Sequence, residues 1–395
     1  MKVPLLDLKI QYQSLKKQLD DAVLRVAESQ YFILGPEVEK MEKEFCDYLK
    51  CKHAVGVSSG TDALLLALMA IDVKPGDEII VPTYSFFATA GVVSRINAIP
   101  VFADIDPVTF NISVDDIKRK ITSKTKAIIP VHLYGQSAAM EKIMRVAKEH
   151  NLFVIEDAAQ AIGTQYKDGK CVGTIGDIGC FSFFPSKNLG GYGDGGLVTT
   201  NDDDLAYKLR IKRVHGGEQK YFHKVIGGNF RLDALQSAVL RVKLPYLDSW
   251  SEKRRMNAEY YNELFIKAGL AEDTGKIKFD EKNHVLLPKA IYKSAIGNQQ
   301  SAIRNYHIYN QYIIRTQNRD ELKKFLIENE IGNEIYYPVP FHLQECFANL
   351  QYKEGDFPVA EEACRTSLAL PVYPELTKDQ QQFVVSKIKE FIQSN

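Results

Sequence analysis

Phe181-Ser182-Phe183-Phe184-Pro185-Ser186-Lys187-Asn188-Leu189-Gly190-Gly191 sets a lysine in a loop behind an apolar run. Upstream, Glu156-Asp157-Ala158-Ala159-Gln160 closes another such run. A lysine amine in that setting can form a Schiff base with an aldehyde. An aspartate ending an earlier strand can pair with a protonated ring nitrogen and keep the ring an electron sink. The two together are the arrangement that pyridoxal 5'-phosphate needs, with Lys187 as nucleophile and proton carrier and Asp157 as counter-ion. Each alone has a plainer reading. Lysines usually lie in solvent, an aspartate often caps a helix at a strand–helix junction, and Gln160 can be a polar loop residue.

Outward from this stretch the chain alternates. Short apolar, β-branched runs fall at 53–57, 78–82, 100–103, 127–131, 152–156, 180–183 and 197–200. Helical patterns at 62–71, 138–150 and 203–213 separate several of them. Such alternation predicts an α/β fold with a mostly parallel sheet covered by helices on both faces. Ligands of these sheets bind beyond the carboxyl ends of the strands. Ser58-Ser59-Gly60-Thr61-Asp62, Thr83-Tyr84-Ser85-Phe86-Phe87, the Asp157 segment and the Lys187 loop all follow strands, so they converge on one edge. A helix opening at Gly60 and Thr61 offers free amides to a phosphate, although Ser59 or Thr61 also reads as an ordinary N-cap. Ser182 can add a hydroxyl there or simply face a neighbouring strand. Phe86 reads as a ring platform or as a core aromatic. Gly191-Tyr192-Gly193-Asp194-Gly195-Gly196 fits a dinucleotide fingerprint but leads into a strand instead of opening a helix, so the match is accidental. Its glycines let the loop pass close to the lysine.

A mostly helical stretch at 233–266, broken by Pro245, leads into a second unit. This gives a large domain over 1–248, including the N-terminal segment, and a smaller C-terminal α+β domain over 249–395. The smaller one has a strand-like run at 308–315 and helices at 319–329 and 378–392. The first thirty residues carry the amphipathic pattern Leu15, Leu19, Val23, Val26.

Lys+Arg and Asp+Glu are both 50, so the formal net charge is zero. That argues against a broad nucleic-acid surface. No apolar stretch is long enough to span a membrane, and no secretory signal opens the chain. Six scattered cysteines without a CxxC and eight histidines without HExxH spacing point to reduced thiols, no metal and a cytoplasmic protein.

The chain resembles the DegT/DnrJ/EryC1/StrS sugar aminotransferases, of aspartate-aminotransferase-like fold type I. The likeness rests on Ile33-Leu34-Gly35-Pro36-Glu37, Ser59-Gly60-Thr61-Asp62-Ala63-Leu64, Pro82-Thr83-Tyr84-Ser85-Phe86, Asp104-Ile105-Asp106, Glu156-Asp157-Ala158-Ala159-Gln160, Phe183-Phe184-Pro185-Ser186-Lys187 and Gly228-Asn229-Phe230-Arg231-Leu232-Asp233. It implies a large domain with a mostly parallel seven-stranded sheet and pyridoxal phosphate as cofactor. Lys187 and Asp157 would be catalytic. Gln160 would reach the ring hydroxyl, and Phe86 and Ala159 would hold the ring from opposite faces. Gly60, Thr61, Asp62 and Ser182 would surround the phosphate. Asn229 would reach that phosphate from the partner of a homodimer. Arg231 is a substrate or interface candidate, and Tyr336 and Tyr337 lie near the sugar.

Gln30-Tyr31-Phe32-Ile33-Leu34-Gly35-Pro36 and His132-Leu133-Tyr134-Gly135-Gln136 resemble members that aminate C3 of a nucleotide-linked 3-keto sugar. The substrates implied are such a sugar, UDP-linked and N-acetylated, and glutamate as amino donor. Amination at C4 and a non-catalytic regulator are the alternatives. Lys187 argues against relatives that carry histidine there and act as dehydratases. Tyr336-Tyr337-Pro338 departs from the usual His-Tyr-Pro, and residues 280–306 read as an insertion. The basic residues of that insertion, Lys282, Lys289, Lys293 and Arg304, belong either to the diphosphate end of the pocket or to a solvated hairpin.

Overall fold

The computed structural model describes residues 1–282, 284–293 and 303–394. Helices α1 (Leu8–Ser29) and α2 (Pro36–Leu49) precede β1 (His53–Val57). Then follow α3 (Gly60–Ala70), β2 (Glu78–Pro82), α4 (Ala88–Arg95), β3 (Ile99–Ala103), α5 (Val114–Lys120) and β4 (Thr125–Ile128). The unit closes with α6 (Met140–His150), β5 (Phe153–Asp157), β6 (Ile178–Ser182), β7 (Gly196–Thr200) and α7 (Asp203–Arg213). These strands form one seven-stranded sheet in the order β1-β7-β6-β5-β4-β2-β3. Only β7 runs antiparallel to its neighbours.

Alternation along the strands builds a core on each face. Val55, Ile79, Ile155, Cys180 and Val198 pack with Leu64 of α3 and Val93 of α4. On the opposite face Ala54, Phe181 and Leu197 pack with Leu19 of α1 and Phe45 of α2. Ile80, Ile128 and Val154 pack with Ile143 and Val146 of α6. Helix α3 lies between the sheet and other helices, which is why its sequence Ala63-Leu64-Leu65-Leu66-Ala67-Leu68 is apolar all round.

A short hairpin, β8 (Gly217–Gln219) and β9 (Phe222–His223), projects before α8 (Ala234–Lys243). Pro245 sits in a single 3-10 turn, Leu244–Tyr246, that separates α8 from α9 (Leu247–Lys267). In the C-terminal part, β10 (Tyr312–Arg315), α10 (Arg319–Glu328), α11 (Pro358–Thr366), β11 (Ser367–Leu370) and α12 (Lys378–Ser394) follow in order. Tyr261, Phe265, Tyr312, Leu322 and Val384 share a core there, and Val3 joins it while bridging to Ile331.

Two expected strands are shorter or shifted. The run at 308–315 is a strand only from Tyr312 onward. Residues 307–310 turn instead: His307 and Tyr309 stack with centroids 3.7 Å apart, and Ile308 donates its amide to the Gly135 carbonyl. The run at 127–131 pairs as Thr125–Ile128, because Pro130 has no amide to continue the ladder. Within 280–306, the described part does not reach the candidate site. Lys282 pairs with Glu272 and Lys293 with Glu259 at the surface, while the Lys289 carbonyl accepts from Gln136. Residues 294–302 lie outside the described residues. Among the described residues, no helix is long and apolar enough to cross a membrane.

Candidate active site

The carboxyl ends of β1, β2, β5 and β6 deliver their following segments to one cavity of about 310 Å3. Gly60, Thr61, Asp157, Ala159, Ser182 and Lys187 line it. Ser59 caps α3, its hydroxyl accepting from the Asp62 amide at 3.0 Å. The first helical turn leaves the Gly60 and Thr61 amides without helical partners. Only glycine fits at position 60, since a Cβ there would stand 2.7 Å from the Ser182 Cβ. That close approach brings an amide-rich helix start against a hydroxyl, a cradle for an anion. Asp62 itself is not on the cavity wall; its carboxylate accepts from the Ser58 hydroxyl at 2.6 Å.

Asp157 is buried at the end of β5. One oxygen accepts from the Thr89 hydroxyl at 2.8 Å, the other from the Ala159 amide at 3.2 Å. Burial pushes this carboxyl above its ordinary value; the Thr89 and Ala159 donors and the neighbouring Lys187 pull the other way. Burial also pushes the Lys187 amine down to about 8, with Asp157 opposing. An amine so lowered is nucleophilic near neutral pH. Its loop is clamped just after the lysine. The Gly190 carbonyl accepts from the buried Lys243 ammonium at 2.7 Å. Asn188 donates to the Ile308 carbonyl and accepts from Asn310.

Gln160 lies between the Tyr134 amide, which donates to its oxygen at 2.8 Å, and the Tyr337 hydroxyl, to which its nitrogen donates at 3.0 Å. The Tyr84 and Tyr134 hydroxyls converge on the Tyr336 carbonyl. A second cavity, of about 520 Å3, opens beside the first. The two share Ser85, Phe86, Gln160, Phe184 and Lys187, so the lysine stands on their common wall. Tyr336, Tyr337, Asn310, Gln311 and Glu334 are among the residues that line only the second.

Asn229 and Arg231 line neither cavity of their own chain. Asn229 is exposed, and the buried Arg231 Nε has no hydrogen-bond partner. The segment from His132 to Gln136 lines neither cavity and supports Gln160 through the Tyr134 amide. His132 donates from Nε2 to Glu156 at 2.8 Å, while its Nδ1 accepts from the Ala138 amide. Thr89 and Lys243 escaped the sequence reading. For Thr89 the available signal was its place one helical turn after Ser85; for Lys243, on the last turn of α8, there was none.

Pyridoxal phosphate suits these residues. A buried carboxylate, a lowered lysine amine and an amide cradle surround one space of small-molecule size. Fold and site define a fold type I aminotransferase dependent on that cofactor. The profile of the DegT/DnrJ/EryC1/StrS aminotransferase family matches residues 13–389. The chain is 50% identical over 391 residues to a pleiotropic regulatory protein of Geobacillus stearothermophilus, covering 99% of each. It is 41% identical over 378 residues to the UDP-N-acetyl-3-dehydro-alpha-D-glucosamine 3-aminotransferase of Acidithiobacillus ferrooxidans, covering 96% of this chain and 95% of that protein. Among solved structures, S. venezuelae DesV in complex with a ketimine intermediate superposes with a TM-score of 0.89 at 39% identity, covering 99% of this chain and 98% of that one. The chain belongs to the DegT/DnrJ/EryC1/StrS aminotransferase family.

Proposed function

We propose that this aminotransferase moves an amino group from glutamate to C3 of a nucleotide-linked 3-keto hexose, UDP-linked and N-acetylated. The work would take place in the cytoplasm, on the way to an amino sugar of a surface polysaccharide, lipid A or a glycoside. The observation that carries this reading is the shared wall: one lysine serves a cofactor-sized cavity and a larger acceptor cavity at once. The likeness to the A. ferrooxidans 3-aminotransferase supports the position of amination.

When bound, the cofactor supplies an electron-withdrawing ring and a carbon that carries the amino nitrogen. Lys187 would carry the proton at its amine in each half of the reaction. Asp157 would pair with the ring nitrogen. Gln160, bonded to Tyr337, would meet the ring hydroxyl. Phe86 and Ala159 would hold the ring. Gly60, Thr61 and Ser182 would take the phosphate, and Asp62 closes the helix turn that presents them. Tyr336 and Tyr337 face the sugar. Asn229 serves the site across a homodimer interface, in line with its exposure on its own chain, and Arg231 serves the substrate or that interface. The division into 1–248 and 249–395 belongs to the same proposal.

Glutamate should bleach the absorbance of the bound cofactor. The aminated enzyme is then given matched 3-keto and 4-keto sugar nucleotides, and NMR locates the new amine. Preference for the 4-keto acceptor would replace C3 by C4. A spectrum that glutamate leaves unchanged would remove glutamate as donor, and failure with every donor tried would favour a regulator.

A further inference from the structure

The Asp157 carboxylate is buried, and an ionised carboxylate in that position is costly unless donors compensate it. Apart from the Ala159 amide, its donor is a side chain outside the sequence motifs, Thr89. Thr89 is fully buried in the first turn of α4. Its oxygen also lies 3.0 Å from the Ser85 hydroxyl, which is itself buried. The Thr89 proton is committed to Asp157, an acceptor when ionised, so Thr89 must accept from Ser85. The chain therefore runs in one direction: Ser85 hydroxyl to Thr89 hydroxyl to Asp157 Oδ2. Each donor in such a line polarises the next, and a donor to an ionised acceptor is worth more than one between neutral groups. Ser85 and Asp157 both reach the cofactor cavity, while Thr89 stays behind its wall.

We propose that Thr89, oriented by Ser85, is a positioning residue that keeps Asp157 ionised and fixes the plane in which it meets a protonated ring nitrogen. This rests on the reading of Asp157 as the partner of that nitrogen. Thr89 touches neither cofactor nor substrate and acts through the carboxylate alone. Valine in its place would keep the shape and replace the donor with a methyl group. Serine would keep the donor.

The test compares wild type, Thr89→Val, Thr89→Ser, Ser85→Ala and Asp157→Asn in two measurements. One is the affinity for pyridoxamine 5'-phosphate by fluorescence titration at neutral pH. The other is the single-turnover reaction of the pyridoxal-phosphate enzyme with glutamate over a range of glutamate concentrations. Thr89→Val should bind pyridoxamine phosphate about tenfold more weakly and react about 10- to 100-fold more slowly, with half-saturation by glutamate within about twofold of wild type. Thr89→Ser should recover both to within about threefold, and Ser85→Ala should fall between. Wild-type behaviour of Thr89→Val, or an equal defect in Thr89→Ser, overturns the proposal. Should Thr89→Val not fold, Ser85→Ala decides it, and wild-type affinity and rate there overturn it. Asp157→Asn separates the layers. Wild-type affinity and rate in that variant would remove the cofactor role of Asp157 itself, whereas a collapse there beside an unaffected Thr89→Val removes only the relay.

Discussion

The two cavities that meet at Lys187 are made differently. The cofactor side is built from segments that leave the ends of sheet strands, and Ser59, Asp157 and Gln160 on its wall are each held by partners within the chain. The proposed acceptor side adds to the shared residues a set of loops between residues 310 and 344 that are far from the sheet motifs in sequence. It presents Asn310, Gln311 and Glu334 beside aromatic rings, and Lys187 is the single cation on its described wall. A sheet edge thus supplies chemistry shared by many substrates, and loops supply the choice among them.

If that contrast holds, variants on the cofactor side should damage both half-reactions, and variants on the acceptor side only the second. Lys187→Ala should show the largest effect, a loss of about ten-thousand-fold or more in turnover, since no other amine stands on the shared wall. Steady-state assays check it, and near wild-type turnover would reject the assignment. Asp157→Asn should slow the glutamate half-reaction by about 100- to 1,000-fold with the fold intact, because a neutral amide cannot balance a ring charge. Circular dichroism and single-turnover absorbance test both parts; an unchanged rate leaves Asp157 a buried residue that only fastens Thr89 and the Ala159 turn.

Mixing Lys187→Ala with Asn229→Ala subunits probes the boundary between chains. Each parent should be impaired, and activity should reappear after exchange, because one composite site regains both residues. Silence after confirmed exchange counts against a shared site. Tyr336→Ala should have a smaller, one-sided effect. It removes a ring that lines the second cavity and not the cofactor cavity, so the sugar half-reaction should slow about tenfold while the glutamate half changes little. Equal slowing of both halves would erase the distinction drawn between the cavities. The mildest test changes only pH. With its amine lowered to about 8, Lys187 is protonated below that value and nucleophilic above it. Uptake of pyridoxal phosphate by the apoenzyme should therefore quicken through pH 8, followed by stopped-flow absorbance. A midpoint near an ordinary lysine value contradicts the burial argument.

The sequence made the sheet side legible because its signals are contiguous. A run such as Ile79-Ile80-Val81 declares a strand buried on both faces, and the residues just after it must lie on the ligand edge. The partners of Asp157 and Lys187 were harder to see for a geometric reason. Thr89 meets Asp157 across a sequence gap of 68 residues, and Lys243 meets Gly190 across 53. Neither distance leaves a local pattern. The run at 308–315 misled because its first residues serve a turn: Ile308 and Asn310 are spent on fastening Gly135, Tyr134 and Asn188. The likeness at His132-Leu133-Tyr134-Gly135-Gln136 was visible, but only the fold shows that it acts from beneath, through the Tyr134 amide on Gln160.

One feature of the sheet constrains how this enzyme can move. Because β7 runs against β6, the chain returns to the sheet after Lys187 without a crossover helix. Phe183 donates its amide to Gly195 at 2.8 Å and its carbonyl accepts from Gly191 at 2.8 Å, so the lysine hangs from a closed ring of backbone. Freeing it means unzipping two central strands. In the language of amide exchange, the Lys187 loop should share the protection of the two strands that carry it. The lysine is then as fixed as the strand pair from which it hangs.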